Sequence, residues 1–258
     1  MDLDAIKRTA ISAAYRGSRV LLDHLGKIKQ IDKKSAIDLV TEADIRSETA
    51  IIDCIRTGYP DHAILAEESG MNGLVSDYQW IIDPLDGTTN YAHQVGHFAV
   101  SIAFAQKEQT LVGIVINPVS GELFSAVSGR GARLNGRPIS VSQQQSLSDS
   151  LLVTGFPYSV REELSAVVER FAKCLQHAQG IRRYGSAALD LCYVACGRFE
   201  GFWEQYLQPW DTAAGALIAT EAGARVSDFS GAPFRASLPE VLATNGHIHE
   251  EMQTLLQL

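Results

Sequence analysis

Three apolar runs follow one another across residues 97–127 with only short polar turns between them: HFAVSIAFA, TLVGIVINP and ELFSAV. QKEQ joins the first two, and NPVSGE, rich in turn formers, leads into the third. Such closely spaced runs predict the strands of a meander. HAILA and YQWIID, upstream, read as short buried strands. Before them, Leu3, Ile6, Ala10, Ala13, Ala14, Val20, Leu21 and Leu25 recur at helical spacing. A polar connection, KIKQIDKKSAIDLVTEAD, leads to a second helix carrying Ile45, Ile52 and Ile55, with Thr41 as its expected cap.

The Ser/Gln-rich stretch SVSQQQSLSDS at 140–150 lacks apolar periodicity and marks the expected boundary between two halves, 1–145 and 146–258, of one compact unit. Beyond it strands alternate with helices: LLVTGF, a helix over 160–178, GIRRY, a helix over 186–196, FEGFW, a helix after Trp210, ARVSD, EVLAT and a terminal helix. The expected class is α/β in stacked layers, α+β in the first half and α/β in the second.

The net charge of −8 argues against direct nucleic-acid binding or capture by an anionic membrane. It leaves a phosphorylated substrate open, because bound cations reverse the local field. The four cysteines, at 54, 174, 192 and 196, form no CxxC pair and read as buried thiols. With no leader-like opening and no apolar run near ~18 residues, the expected setting is the cytoplasm.

WIIDPLDGTTN, residues 80–90, is the chemically loaded stretch. An apolar strand runs into Asp83, where an uncompensated charge is costly. Pro84 lacks a backbone donor and predicts that pairing ends and the chain turns there. Asp86 follows, Gly87 permits a tight turn, and Thr88 and Thr89 are expected to open a short helix, a natural anion site. Two acids beside an anion site make sense if hard cations such as Mg²⁺ lie between them. AEESG places Glu67 and Glu68 after another apolar run, and QPWDTAAGA places Asp211 at a helix start, where an ordinary cap is the plain alternative. Enzymes that form an aspartyl phosphate separate their two aspartates by one residue. Here two intervene, which disfavours a covalent phosphoenzyme.

Together DLVTEAD, AEESG, WIIDPLDGTTNY, GSAALDL and PWDTAAGALIATEAG resemble the inositol monophosphatase family, in its order and over nearly the whole chain. The resemblance implies a five-layer α/β/α/β/α sandwich and Mg²⁺-dependent hydrolysis of inositol 1-phosphate by metal-activated water. Glu67, Asp83 and the Leu85 carbonyl would hold one magnesium, and Asp83, Asp86 and Asp211 a second. A third ion would lie near Glu67. Asp44, with Glu67 among the catalytic groups, would pair with Thr88 to orient the attacking water. Gly87 and Thr88 would hold phosphate oxygens, with Asp86 and Asp211 also at the substrate. Gly185, Ser186 and Ala187 would touch the substrate ring, and Glu204 would accept a sugar hydroxyl. Lys33 and Asp38 would sit on a mobile loop that closes over the site. A homodimer and lithium inhibition are implied in the same way.

The metal motifs do not separate inositol phosphate from histidinol phosphate, fructose 1,6-bisphosphate, NADP or 3′-phosphoadenosine 5′-phosphate. A transcription-complex protein partner, in ribosomal RNA synthesis, is a non-enzymatic alternative. A structural calcium site would leave Thr88 without a task. Arg182 and Arg183 suit a phosphate, an interface acid or bulk solvent, and the sequence leaves all three open.

Overall fold

The computed structural model describes residues 1–26, 42–71, 74–157, 160–162 and 164–258 in full, and the backbone alone of 32–33 and 39–40. Helix α1 (Leu3–His24) starts where Asp2 accepts the N–H groups of Asp4 and Ala5 at 2.9 and 3.0 Å, an N-cap that meets two donors the helix cannot. Its Ile6, Ala10, Ala13, Ala14 and Leu21 form one buried face. After a two-residue ladder between β1 (Asp32–Lys33) and β2 (Leu39–Val40), α2 (Glu42–Gly58) packs on α1. Thr41, its expected cap, and Asp38 lie outside the described residues, as does the Lys33 side chain.

The predicted meander is the middle of an eight-stranded sheet. Its strands are β3 (Ala63–Ala66), β4 (Gly70–Met71), β5 (Tyr78–Asp86), β6 (Ala99–Gln106), β7 (Gln109–Asn117), β8 (Glu122–Val127), β9 (Ala132–Leu134) and β10 (Arg137–Pro138). They lie in the order β10-β9-β8-β7-β6-β5-β3-β4, and only β3 and β5 run parallel. Between β5 and β6, α3 (Thr88–Ala92) forms the short helix expected after Gly87.

Residues 151 onward build a second sheet from β11 (Leu151–Thr154), β12 (Gly180–Arg182), β13 (Gly201–Gln205), β14 (Arg225–Ser227) and β15 (Glu240–Thr244), in the order β12-β11-β13-β15-β14. Helices α4 (Leu164–His177), α5 (Ala187–Ala195), α6 (Pro209–Glu221) and α7 (His249–Leu256) separate and flank these strands.

Three cores define the layers. One joins α1 and α2 to the first sheet through Ile6, Leu21, Ile51, Trp80 and Phe104. A second lies between the sheets, where α5 and α6 bury Leu189, Leu191, Ala214 and Ile218 against Phe124, Val153 and Phe202. The third packs α4 and α7 on the outer face of the second sheet through Cys174, Trp203 and Met252. The result is the α/β/α/β/α sandwich expected from the resemblance. Helices α5 and α6 are apolar nearly all round because both faces meet a sheet. Among the described residues no helix is long and apolar enough to cross a membrane.

At the start of α7, His249 is buried between the hydroxyls of Ser227 and Thr244, each 2.9 Å from a ring nitrogen. Burial pushes its pKa down to about 4, whereas the unfolded chain binds that proton at about 6.5. The stability it protects is therefore complete above pH about 6.5 and lost as pH falls toward about 4. Urea unfolding across that interval should show the fall, and His249→Gln should flatten it.

Candidate active site

The site begins with a departure from the simplest reading of Pro84. Strand β5 does not stop at Asp83: its ladder with β6 pairs Asp83 with Ser101, shifts register, and resumes at Asp86 opposite Ala99. A bulge absorbs the residue without an N–H. The Pro84 carbonyl accepts a hydrogen bond from Ser47 Oγ at 3.1 Å, and Asp83 Oδ1 accepts the Leu85 N–H at 2.9 Å. Both aspartates are thereby held, buried, at the end of a strand.

Gly87 follows at φ 97°, in the left-handed region. A Cβ there would lie 3.1 and 3.2 Å from the carbonyl oxygens of Gly185 and His97, so glycine suits both the turn and the close approach. The first intrahelical bond of α3 runs from Tyr91 N–H to the Gly87 carbonyl at 3.0 Å, leaving the earlier N–H groups without intrahelical acceptors. The Thr88 hydroxyl donates to the Leu85 carbonyl at 3.1 Å. Asp44 lies buried in the first turn of α2.

Glu67 follows β3, its N–H donating to the Ile82 carbonyl at 3.2 Å, which puts it beside the end of β5 as adjacent strand ends predict. Asp211 is the third residue of α6. Its Oδ2 accepts the Gln208 N–H at 2.7 Å in a capping box, as the cap reading expects. Asp86 Oδ2 accepts from Ser186 Oγ at 2.5 Å and from the Ala188 N–H at 2.9 Å. The Ser186 hydroxyl thus donates to an acid beside the Asp83 turn. Ala187 opens α5 beside it, and Gly185 lies against the Asn90 amide.

These carboxyls oppose one another. Burial raises Asp83 well above the ordinary carboxylate range, and Glu67, Asp86, Asp211 and Asp44 push it further. Burial raises Asp211 likewise, against the Gln208 N–H, with Asp86, Glu67 and Glu204 adding to it. Asp86 is raised by burial but relieved by Ser186, Ala188 and His97. Glu204, on β13, is pushed by burial to about 8, although the Arg183 guanidinium pulls it down. Among the described residues no three His, Cys, Asp or Glu side chains are already drawn together as a metal site. The donors at hand are carboxylates and the Leu85 carbonyl, a set of hard oxygens suited to a small divalent cation.

Other contacts escaped the sequence reading. Glu48 accepts the N–H groups of Glu68 and Ser69 at 2.9 and 3.0 Å and so shapes the turn bearing Glu67. Asn90 donates to the carbonyls of His97 and Tyr184, both at 2.7 Å, tying α3 to the segments before β6 and α5. Asp44, Ser47 and Glu48 are all buried on α2. Their i, i+3, i+4 spacing, a polar patch on the helix face that also carries Ile51 and Ile55, was the available signal. Arg182 is exposed, and Arg183 lies over the Phe156 ring, 5.6 Å from its centroid.

Because Ser186 both holds Asp86 and caps α5 through the Leu189 N–H, Ser186→Ala should cost about 1 kcal/mol of stability, read by urea unfolding.

A layered sandwich that gathers acids at strand and helix ends, beside a turn that opens a helix, is an arrangement suited to a divalent cation and an anion together. The family model described as the inositol monophosphatase family matches residues 2–257, and the chain belongs to that family. It is 46% identical over 257 residues to an inositol-1-monophosphatase of Synechocystis sp., covering 99% of this chain and 90% of that protein. It is 45% identical over 255 residues to the Nus factor SuhB of Pseudomonas aeruginosa, covering 96% and 94%. The structure of an inositol monophosphatase from Anabaena (Nostoc) sp. PCC 7120 superposes with TM-score 0.90 at 42% identity, over 99% of this chain and 96% of that one. Extragenic suppressor protein suhB from Bartonella henselae superposes with TM-score 0.94 at 37% identity, over 98% of each.

Proposed function

We propose that the chain hydrolyses phosphate monoesters of polyols, with myo-inositol 1-phosphate as preferred substrate and Mg²⁺ as cofactor. The observation that carries this reading is the acid set Glu67, Asp83, Asp86 and Asp211: Asp83 and Asp86 are buried, Glu67, Asp86 and Asp211 push the Asp83 pKa up, and Asp86 and Glu67 push up that of Asp211. Such a set is stable as anions only when cations compensate it. Glu67, Asp83 and the Leu85 carbonyl would hold one ion, Asp83, Asp86 and Asp211 a second, and Glu67 would border a third. Magnesium, when bound, supplies the positive charge and Lewis acidity that phosphoryl transfer requires.

The chain's own groups supply position. The N–H groups of Gly87 and Thr88 hold phosphate oxygens, and the Thr88 hydroxyl, with Asp44 and Glu67 near it, orients the attacking water. Glu204 receives a polyol hydroxyl. Because the transition state is loose, positioning and charge neutralisation supply most of the rate, and no aspartyl phosphate forms. Lithium would compete at the Asp83, Asp86 and Asp211 position. The working form is a cytoplasmic homodimer, testable by light scattering.

The likeness to a protein named Nus factor SuhB favours a second role, binding a protein partner during ribosomal RNA transcription. One experiment separates the readings: phosphate release from myo-inositol 1-phosphate, histidinol phosphate, fructose 1,6-bisphosphate, NADP and 3′-phosphoadenosine 5′-phosphate, with Mg²⁺, with EDTA, and with Asp83→Asn as blank. Mg²⁺-dependent preference for inositol phosphate is expected. Another preferred ester would move the substrate, and silence on all five from folded protein would leave the partner role.

A further inference from the structure

We propose that Gly155 is a positioning residue for substrate choice: the missing side chain at 155 is what lets the Glu204 carboxylate stand where a polyol hydroxyl meets it. Strands β11 and β13 run parallel with Thr154 opposite Trp203, so the next residue of each strand, Gly155 and Glu204, are neighbours. The Thr154 hydroxyl fixes this register by donating to the Trp203 carbonyl at 2.7 Å. A Cβ built on Gly155 would overlap Cδ and both oxygens of the Glu204 carboxyl. The backbone of Gly155 is not in the left-handed region, so it is the space taken by Glu204, not a backbone conformation, that favours glycine there.

The carboxylate has nowhere inward to retreat. The cavity lined by Gly155, Phe156, Pro157, Trp203, Glu204 and Gln205 measures about 10 Å³, room for one water at most. Arg183, above the Phe156 ring, attracts the Glu204 charge. Burial raises the Glu204 pKa, with Asp190 and Asp86 adding to it and Arg183 opposing them, and a hydrogen bond donated by a ligand hydroxyl would favour its charged form. Alanine at 155 therefore displaces the carboxylate toward the ligand space and spoils hydroxyl recognition, while the phosphate-handling groups on β5 and α3 stay in place. The inference rests on the reading of Glu204 as the polyol acceptor.

The test compares kcat and KM for myo-inositol 1-phosphate and for p-nitrophenyl phosphate, which lacks ring hydroxyls, in wild type, Gly155→Ala, Glu204→Ala and the double variant Gly155→Ala/Glu204→Asp. We expect Gly155→Ala to raise KM for inositol phosphate about tenfold and leave p-nitrophenyl phosphate within about twofold. The shorter aspartate side chain of the double variant should clear the new methyl group and restore much of the preference. Equal losses on both esters, no change on either, or failure of the double variant to recover would overturn the proposal. So would failure of both Gly155 variants to fold. If Glu204→Ala changes preference while Gly155→Ala does not, the Gly155 inference alone fails. If Glu204→Ala leaves preference intact, the polyol reading fails and takes this inference with it.

Discussion

Asp83→Asn is expected to lower phosphate release by about 10²–10³-fold or more, the scale of removing a principal electrostatic element, and yet to make the metal-free protein more stable. The two effects share one cause. Burial and the charges of Glu67, Asp86, Asp211 and Asp44 hold the Asp83 pKa well above its ordinary value. The folded state therefore binds that proton more tightly than the unfolded chain. Metal-free stability is present below the ordinary carboxylate pKa and is lost as pH rises through the raised one. Asparagine carries no charge but keeps an oxygen to accept the Leu85 N–H, the local contact of Asp83 Oδ1. In EDTA near pH 7.5 the variant should melt above wild type. With Mg²⁺ the order should reverse, because a ligand that binds only the folded state stabilises by mass action and the variant has lost a donor. A variant that melts lower in EDTA, or gains as much from Mg²⁺ as wild type, would show that Asp83 is not at the centre of the cluster.

That prediction depends on residues legible in the sequence to different degrees. Asp83 and Asp86 stood out because an apolar strand ran into them, and Glu67 because it ended the neighbouring strand. Asp211 alone looked like a cap. It is part of a cap, and only the third dimension shows its charge also bearing on Asp83. The meander was legible because short polar turns leave its strands nowhere else to pair. Pro84 was misleading: a missing N–H predicts a break, but a bulge lets the strand resume at Asp86. Glu48 and Ser47 were illegible as supports because they serve backbone groups 20 and 37 residues away, a pairing that no local pattern encodes. The sandwich order likewise came from the resemblance, since periodicity marks an apolar helix as buried without saying between which sheets.

A second large effect should come from a position without any reactive group. Gly113→Ala is expected to destabilise the protein by about 1–3 kcal/mol, lowering Tm by roughly 2–4 °C per kcal/mol for a chain of this size. Gly113 sits in β7, near the middle of the first sheet, where α6 crosses it. A Cβ there would lie 2.7 Å from the carbonyl oxygen of Ala214, with Ala214 Cα and C at 3.2 and 3.3 Å. Those are backbone atoms of a helix clamped between two sheets, and they cannot rotate away as a side chain would. Relief requires α6 to move, and Asp211 lies one turn upstream on that helix. The variant should thus need more Mg²⁺ for half-maximal activity as well as melting lower. Gly58 is the control. It ends α2 with nothing within 4 Å of the would-be Cβ, so Gly58→Ala should be neutral or mildly stabilising, through reduced freedom of the unfolded chain. If both variants lost the same stability, the close approach of α6 to β7 would not be what Gly113 provides. If Gly113→Ala lost stability while its Mg²⁺ requirement stayed unchanged, α6 would be absorbing the strain without carrying Asp211 along.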